Sequence, residues 1–238
     1  MSAPVSAPAQ SRQLVLDRIG AATQSVRKDA SQLADAYRAL PRAYIRRGAL
    51  SAAVRIELMI ERLREYDAEV VECTPAALPA TIAAQLAASG KRTFAAPEGL
   101  PAEWLADGFT WKIDRGLATT EIEEAEGVVT AASCGVADSG TIVLHHSPAE
   151  GRRVLTLLPD WHLCILRASQ VVQTLPEYFD GCQQPPALHP SDQDLSLGTP
   201  ALVTTISGPS ATADIEMTRI KGVHGPRFLH VILVRDEV

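Results

Sequence analysis

The stretch Glu69-Val-Val-Glu-Cys73, Thr74-Pro75, Ala76-Ala-Leu-Pro-Ala-Thr-Ile-Ala-Ala-Gln-Leu-Ala-Ala-Ser89, Gly90, Arg92-Thr-Phe-Ala95 decides the fold class. Its first five residues carry β-branched side chains at the centre and read as a strand. Thr74 followed by Pro75 reads as a helix cap with proline at the first helical position, and Gly90 closes the helix that runs over 76–89. Arg92–Ala95 opens a second strand. Strand, helix, strand without a hairpin turn is the signature of a β-α-β unit, so the expectation is an α/β fold with an open, mostly parallel sheet flanked by helices.

Upstream, Leu50, Val54, Ile56, Leu58, Met59, Ile60, Leu63 and Tyr66 form a wide apolar helical face opposite Arg55, Glu61, Arg62 and Glu65. Downstream, short strands are expected at Phe109–Ile113, Gly127–Thr130, Trp161–Arg167, Ala201–Ser207 and Phe228–Arg235. Gly135–His145 reads as a turn and strand, with short helices at Arg152–Leu158 and Thr174–Asp180 and a proline-rich loop over Cys182–Pro200. The domain reading is a disordered tail over 1–10, rich in Ala, Pro and Ser, a helical arm over 11–45, and one α/β domain over 46–238. In the arm Ile19, Val26, Leu33 and Leu40 recur every seven residues. Packing on the chain's own domain is the commoner use of such a stripe, and contact with another helix is the alternative.

Composition narrows the function. Aromatics make up 5% of a chain that is 46% hydrophobic, so the core is built of Ala, Leu, Ile and Val. A net charge of −6 supplies no clustered cations for a phosphate backbone, which argues against nucleic-acid binding. Cys73, Cys134, Cys164 and Cys182 are far apart and lack Cys-x-x-Cys spacing, so neither zinc nor an iron–sulfur cluster is expected in this chain. The opening residues lack a secretory pattern and no apolar run approaches the ~20 residues of a membrane span, so the expected setting is the cytoplasm, away from membranes.

Three glycine-bearing loops in the second half are the candidate chemistry. In Ala201–Glu216 a β-branched strand runs into Gly208-Pro209 and an expected short helix, whose N-terminus, with Ser207, Ser210 and Thr212, suits a carboxylate or phosphate. Asp214 is a candidate acid or base, while Glu216, a further ligand-binding candidate, also complements the helix dipole. In Ala137–Thr141, Asp138 faces a tight turn with Ser139, and Gly140 permits close approach to a ligand. The alternative there is a plain hairpin turn. In Gly222-Val-His-Gly-Pro226, His224 is suited to proton transfer and Gly225 frees the backbone beside it. His145 and His146 are adjacent in a strand, so they should face opposite sides, and no shared metal site is expected.

Ala137-Asp-Ser-Gly-Thr141, Leu158-Pro159, Ser207-Gly-Pro-Ser-Ala-Thr-Ala-Asp-Ile-Glu216 and Gly222-Val-His-Gly-Pro226, in that order, closely resemble the LUD-domain family. The resemblance covers about residues 50–238 and is strongest from Gly127 onward. It implies a fold similar to the NagB/RpiA/CoA-transferase-like group, with glycine-rich loops converging at the strand ends. It also implies a part in oxidising L-lactate to pyruvate alongside separate proteins that carry iron–sulfur clusters, this chain being a non-redox subunit or accessory that binds a small carboxylate or a partner segment. One departure stands out: the family commonly has Glu-Thr-Gly-Thr where this chain has Asp138-Ser139-Gly140-Thr141. The rival readings are a self-sufficient transferase or hydrolase acting on an acyl-CoA or sugar phosphate, and a structural adaptor whose heptad arm makes the contact, a homo-oligomer being one form of it.

Overall fold

The computed structural model describes residues 7–23, 29–183, 200–212, 220–222 and 225–236. The chain divides into two compact units, residues 1–44 and 45–238. The first holds α1 (Ala7–Thr23) and α2 (Ala30–Arg38). Helix α1 starts inside the stretch expected to lack structure, and Pro8 is tolerated there because first-turn N–H groups have no intrahelical partner. Val15, Ile19, Leu33 and Leu40 are exposed, and Val26 of the heptad lies outside the described residues.

The second unit is α/β. Its elements in chain order are α3 (Ala52–Glu65), β1 (Glu69–Cys73), α4 (Leu78–Ala88), β2 (Thr93–Pro97), β3 (Thr110–Asp114), α5 (Thr119–Glu123), β4 (Gly127–Ala131), β5 (Cys134–Val136), β6 (Thr141–Leu144), β7 (Trp161–Arg167), β8 (Val171–Val172), α6 (Leu175–Cys182), β9 (Thr204–Ile206), β10 (Ala211–Thr212), β11 (Ile220–Lys221) and β12 (Phe228–Val234). Six strands form one all-parallel sheet in the order β1-β12-β7-β4-β2-β3. A second sheet, β8-β5-β6-β9, is built from the segments that follow β4 and β7.

Period-two alternation divides the core between the two faces of the main sheet. Cys164, Leu166, Leu229, Val231 and Leu233 join Ile56, Met59, Ile60 and Leu63 of α3, together with Ile142, Leu144 and Val171 of the small sheet. The intervening residues Leu163, Ile165, Ile232 and Val234 join Leu78, Ile82 and Leu86 of α4. The few aromatics are concentrated here: Phe94 sits 5.5 Å from Phe109 and 5.7 Å from both Trp111 and Trp161, ring centre to ring centre. Loss of such a ring costs about 3–5 kcal/mol, so this cluster anchors the β2 side of the sheet.

Local signals fix the helix ends. The Ser51 hydroxyl accepts from Val54 N at the start of α3. Thr174 and Glu177 exchange side-chain and backbone hydrogen bonds at the start of α6, a reciprocal cap. The segment expected to be a helix at Arg152–Leu158 is a single 3-10 turn, Arg153–Thr156. Among the described residues no helix is long and apolar enough to cross a membrane.

Candidate functional site

Strand order creates an opening. β2 continues into β3 on one side, whereas its neighbour β4 continues through the small sheet into β7 on the other. Where adjacent parallel strands depart in opposite directions, a gap forms beyond their carboxyl ends, and open α/β sheets bind ligands there. A crevice of about 750 Å³ occupies this place. Its walls are Pro97 to Gly99 after β2, Asp114 and Gly116 after β3, His146 to Pro148, Gly151 and Arg152 from the loop after β6, and Leu202.

The loop after β6 is tied down by one buried acid. Glu150 is 2% exposed. Its carboxylate accepts from the Ser133 hydroxyl and from the amides of His145 at 2.6 Å and Ser147 at 3.1 Å, the two amides that flank His146. Ser147 O in turn accepts from Glu150 N at 3.0 Å and Gly151 N at 2.8 Å. The loop is also stitched to the sheet, since Pro148 O accepts from Gly99 N at 2.9 Å and Ala149 O from Ala131 N at 3.0 Å. Gly99 is required at that seam: a Cβ there would lie 2.5 Å from Pro148 Cβ.

Between its clamped neighbours His146 adopts a left-handed backbone, φ 57°. A non-glycine residue in that region costs about 1 kcal/mol, and the strain persists because the surrounding bonds over-determine it. Its Nε2 lies 2.8 Å from Thr204 Oγ1, on a residue of β9 that is nearly buried. His145 faces the other way, with Nε2 3.0 Å from the Tyr178 hydroxyl, and burial holds its pKa below the usual histidine value. The two rings diverge as expected from their adjacency. Among the described residues no group of metal-ligating side chains converges.

Arg152 and Asp114 brace the opposite wall. Arg152 Nε and Nη2 donate to the two Asp114 oxygens at 2.7 and 2.9 Å, and Nη2 also donates to Leu117 O. Asp114 further accepts from Gly116 N and Leu117 N at 3.1 and 3.0 Å. The Arg152 hydrogen bond holds the Asp114 carboxyl below the ordinary aspartate range. Because this fork is already engaged, Arg152 serves as a brace and is not positioned as a bidentate carboxylate receptor.

The described residues among those singled out in the sequence lie elsewhere. Asp138 and Ser139 are exposed, and Ser139, Thr141 and Ser207 form a chain of hydroxyls with 2.8 Å links. Gly140 and Gly208 have φ of 60° and 82°, but what approaches them is protein: a Cβ would meet Arg62 Cβ at 2.7 Å and Tyr66 Cβ at 2.6 Å. Both contacts are at the C-terminal end of α3, which feeds the amino end of β1, so these loops do not converge at the carboxyl strand ends.

Where a short helix is expected to start after Pro209, the described residues Ala211 and Thr212 form β10, paired antiparallel to β11 as Ala211 to Lys221 and Thr212 to Ile220; residues 213–219 of the expected helix lie outside the described residues. Ser210 N donates to Pro226 O at 2.8 Å and Gly222 N to Ser210 O at 2.9 Å, so the backbone of Ser210 is satisfied by strand-like pairing. Gly225 sits opposite Ser210, its virtual Cβ 3.5 Å from the serine Cβ. Asp214, Glu216 and His224 lie outside the described residues. None of the described candidates lines the crevice. Asp114, which ends β3 one residue beyond the strand expected at Phe109–Ile113, is the signal that could have pointed there.

The comparisons with known proteins fit this architecture. A protein named Lactate utilization protein C from Deinococcus radiodurans is 38% identical over 186 residues, covering 78% of this chain and 82% of that one. Lactate utilization protein C of Bacillus subtilis is 33% identical, covering 58% of this chain and 55% of the relative, and Uncharacterized protein YkgG of Escherichia coli is 37% identical, covering 49% and 47%. The chain thus spans about half the length of the latter two. The crystal structure of a DUF162 family protein from Deinococcus radiodurans matches with a TM-score of 0.61 and 32% identity, over 78% of this chain and 99% of that one. The LUD domain model matches residues 56–234, from the first buried residue of α3 to the last residue of β12, and with this match across both sheets the chain belongs to the LUD domain family.

Proposed function

We propose that the chain serves L-lactate utilization in the cytoplasm, as the non-redox component of a system that oxidises L-lactate to pyruvate. In this reading electrons pass through iron–sulfur clusters on separate partner proteins, and this chain holds a small hydroxy- or oxo-carboxylate in the crevice while the oxidation proceeds. The observation that carries the reading is 38% identity across 82% of a protein named for lactate utilization.

The test is L-lactate-dependent dye reduction in extracts of the native host with and without the chain. Loss on deletion, restored by the wild-type chain, is the expected result. Undiminished activity on deletion overturns the reading.

The crevice volume favours a second reading, because about 750 Å³ exceeds what a three-carbon acid fills. An acyl-CoA or sugar phosphate would use more of it, in a transferase or hydrolase. Trapping a covalent acyl-enzyme from a CoA thioester would establish that alternative, and its absence together with lactate-dependent activity would remove it.

A further inference from the structure

We propose that His146 is the ligand-contacting residue of the crevice, hydrogen-bonding through Nδ1 to the C2 oxygen of a short 2-hydroxy or 2-oxo acid, with Thr204 and Glu150 as positioning residues. The ligand class rests on the function proposed above; the choice of residue rests on geometry. His146 lines the crevice, and its imidazole, which can both donate and accept hydrogen bonds, is not spent on bracing the walls as Arg152 is; the Ser147 hydroxyl beside it lines the same crevice on a shorter side chain. Its ring is engaged at Nε2 by Thr204 Oγ1, and among the described residues Nδ1 carries no hydrogen bond. Its backbone is held in a left-handed conformation that glycine adopts at less cost, by a buried carboxylate that takes the amide on each side of it. Strain kept by this much bonding, at a residue facing an open crevice, marks a group held for use.

The Thr204 contact sets what Nδ1 offers. When Nε2–H donates to Thr204 Oγ1, Nδ1 is an acceptor and suits the hydroxyl of a 2-hydroxy acid. When the Thr204 hydroxyl donates to Nε2, Nδ1–H is a donor and suits the carbonyl of the 2-oxo acid. The two arrangements are different ring tautomers, so passing between them exchanges the ring proton from Nε2 to Nδ1 through water at the open crevice while the Thr204 hydroxyl rotates from acceptor to donor, and the same ring can hold either the alcohol or the ketone.

The experiment is complementation of the deletion host by His146→Gly, which accommodates the left-handed backbone and removes only the ring. The measurements are L-lactate-dependent dye reduction and the melting temperature of the purified variant. The expected result is a fall of up to about 10-fold in activity, the loss of one ligand hydrogen bond, at unchanged melting temperature, with part of the activity returned by added imidazole. Wild-type activity in His146→Gly, or a loss that imidazole does not relieve, overturns the assignment while leaving the lactate reading intact. Undiminished activity in the deletion host itself sinks the lactate reading and the ligand assignment with it. If His146→Gly accumulates poorly, Thr204→Val against Thr204→Ser carries the test: the proposal requires the valine variant to lose activity and the serine variant to keep it, and equal behaviour of the two overturns it.

Discussion

Two glycine-bearing regions of this fold do opposite work. Around Gly140 and Gly208 the missing side chains make room for α3, whose Arg62 and Tyr66 fill the space a Cβ would need. Around Gly99 and Gly151 the missing side chains let the loop after β6 close on β2, and that closure builds the wall of an open crevice. The first pair seals the protein against itself, and the second shapes a cavity. A glycine records that something comes close; whether it is a helix or a ligand depends on residues far away in sequence.

The largest expected effect breaks the crevice side of this comparison. Glu150→Ala leaves the Ser133 hydroxyl and the His145 and Ser147 amides without their acceptor, and at about 1–3 kcal/mol per orphaned buried donor, with partial relief by water, a loss of about 4 kcal/mol is expected. Urea denaturation measures it, and a loss under about 1 kcal/mol would mean the loop holds its shape without the carboxylate. On the sealed side, Gly140→Ala combines a left-handed backbone with a 2.7 Å clash against Arg62, for an expected cost of about 3 kcal/mol. Gly90→Ala is the control. Its φ is 71° with nothing within 4 Å of the new methyl, so only the backbone penalty of about 1 kcal/mol remains. Equal costs at the two positions would show that α3 gives way and that the seal is soft.

The smallest effect concerns the brace. Asp114 has its pKa lowered in the folded state, chiefly by Arg152, relative to about 3.9 in an unfolded chain. A depressed carboxyl contributes stability above the unfolded value and loses it as pH falls through the folded one. The melting temperature of the wild type should drop between about pH 4 and pH 2 by more than that of Asp114→Asn. Parallel curves would remove the brace from the account of acid stability.

Most of the fold could be read from local pattern. Trp161–Arg167 and Glu69–Cys73 have the bounds expected of them, whereas the helix expected to start at Pro75 opens with a 3-10 turn, Pro75–Ala77, without a side-chain bond from Thr74, and α4 runs from Leu78 to just before Gly90. Such signals act within a few residues, which is why the sequence carries them openly. The resemblance over the C-terminal motifs was likewise sufficient for the family. The turn at Gly208-Pro209 misled because proline suits a helix start and a strand-flanking turn equally, and pairing with Ile220-Lys221 decided between them. The crevice was hidden for the same kind of reason. Ser147-Pro148-Ala149-Glu150-Gly151 reads as a solvated turn until Ser133 arrives to bury its acid, and His146 acquires a fixed ring only through Thr204, while Arg152 is held by Asp114.

The order β1-β12-β7 carries a consequence for how the chain is made. Among the described residues β1 has a single neighbour in the main sheet, and that neighbour is β12, the last strand of the domain. On the ribosome, α3 and β1 emerge early and have to wait through the rest of the domain before the sheet can close over them. Pairing across so long a separation is slow, because the loop entropy is lost before the contacts form. The amino-terminal strand of this domain thus depends on the longest-range pairing in the main sheet, although its structure is plain in the sequence.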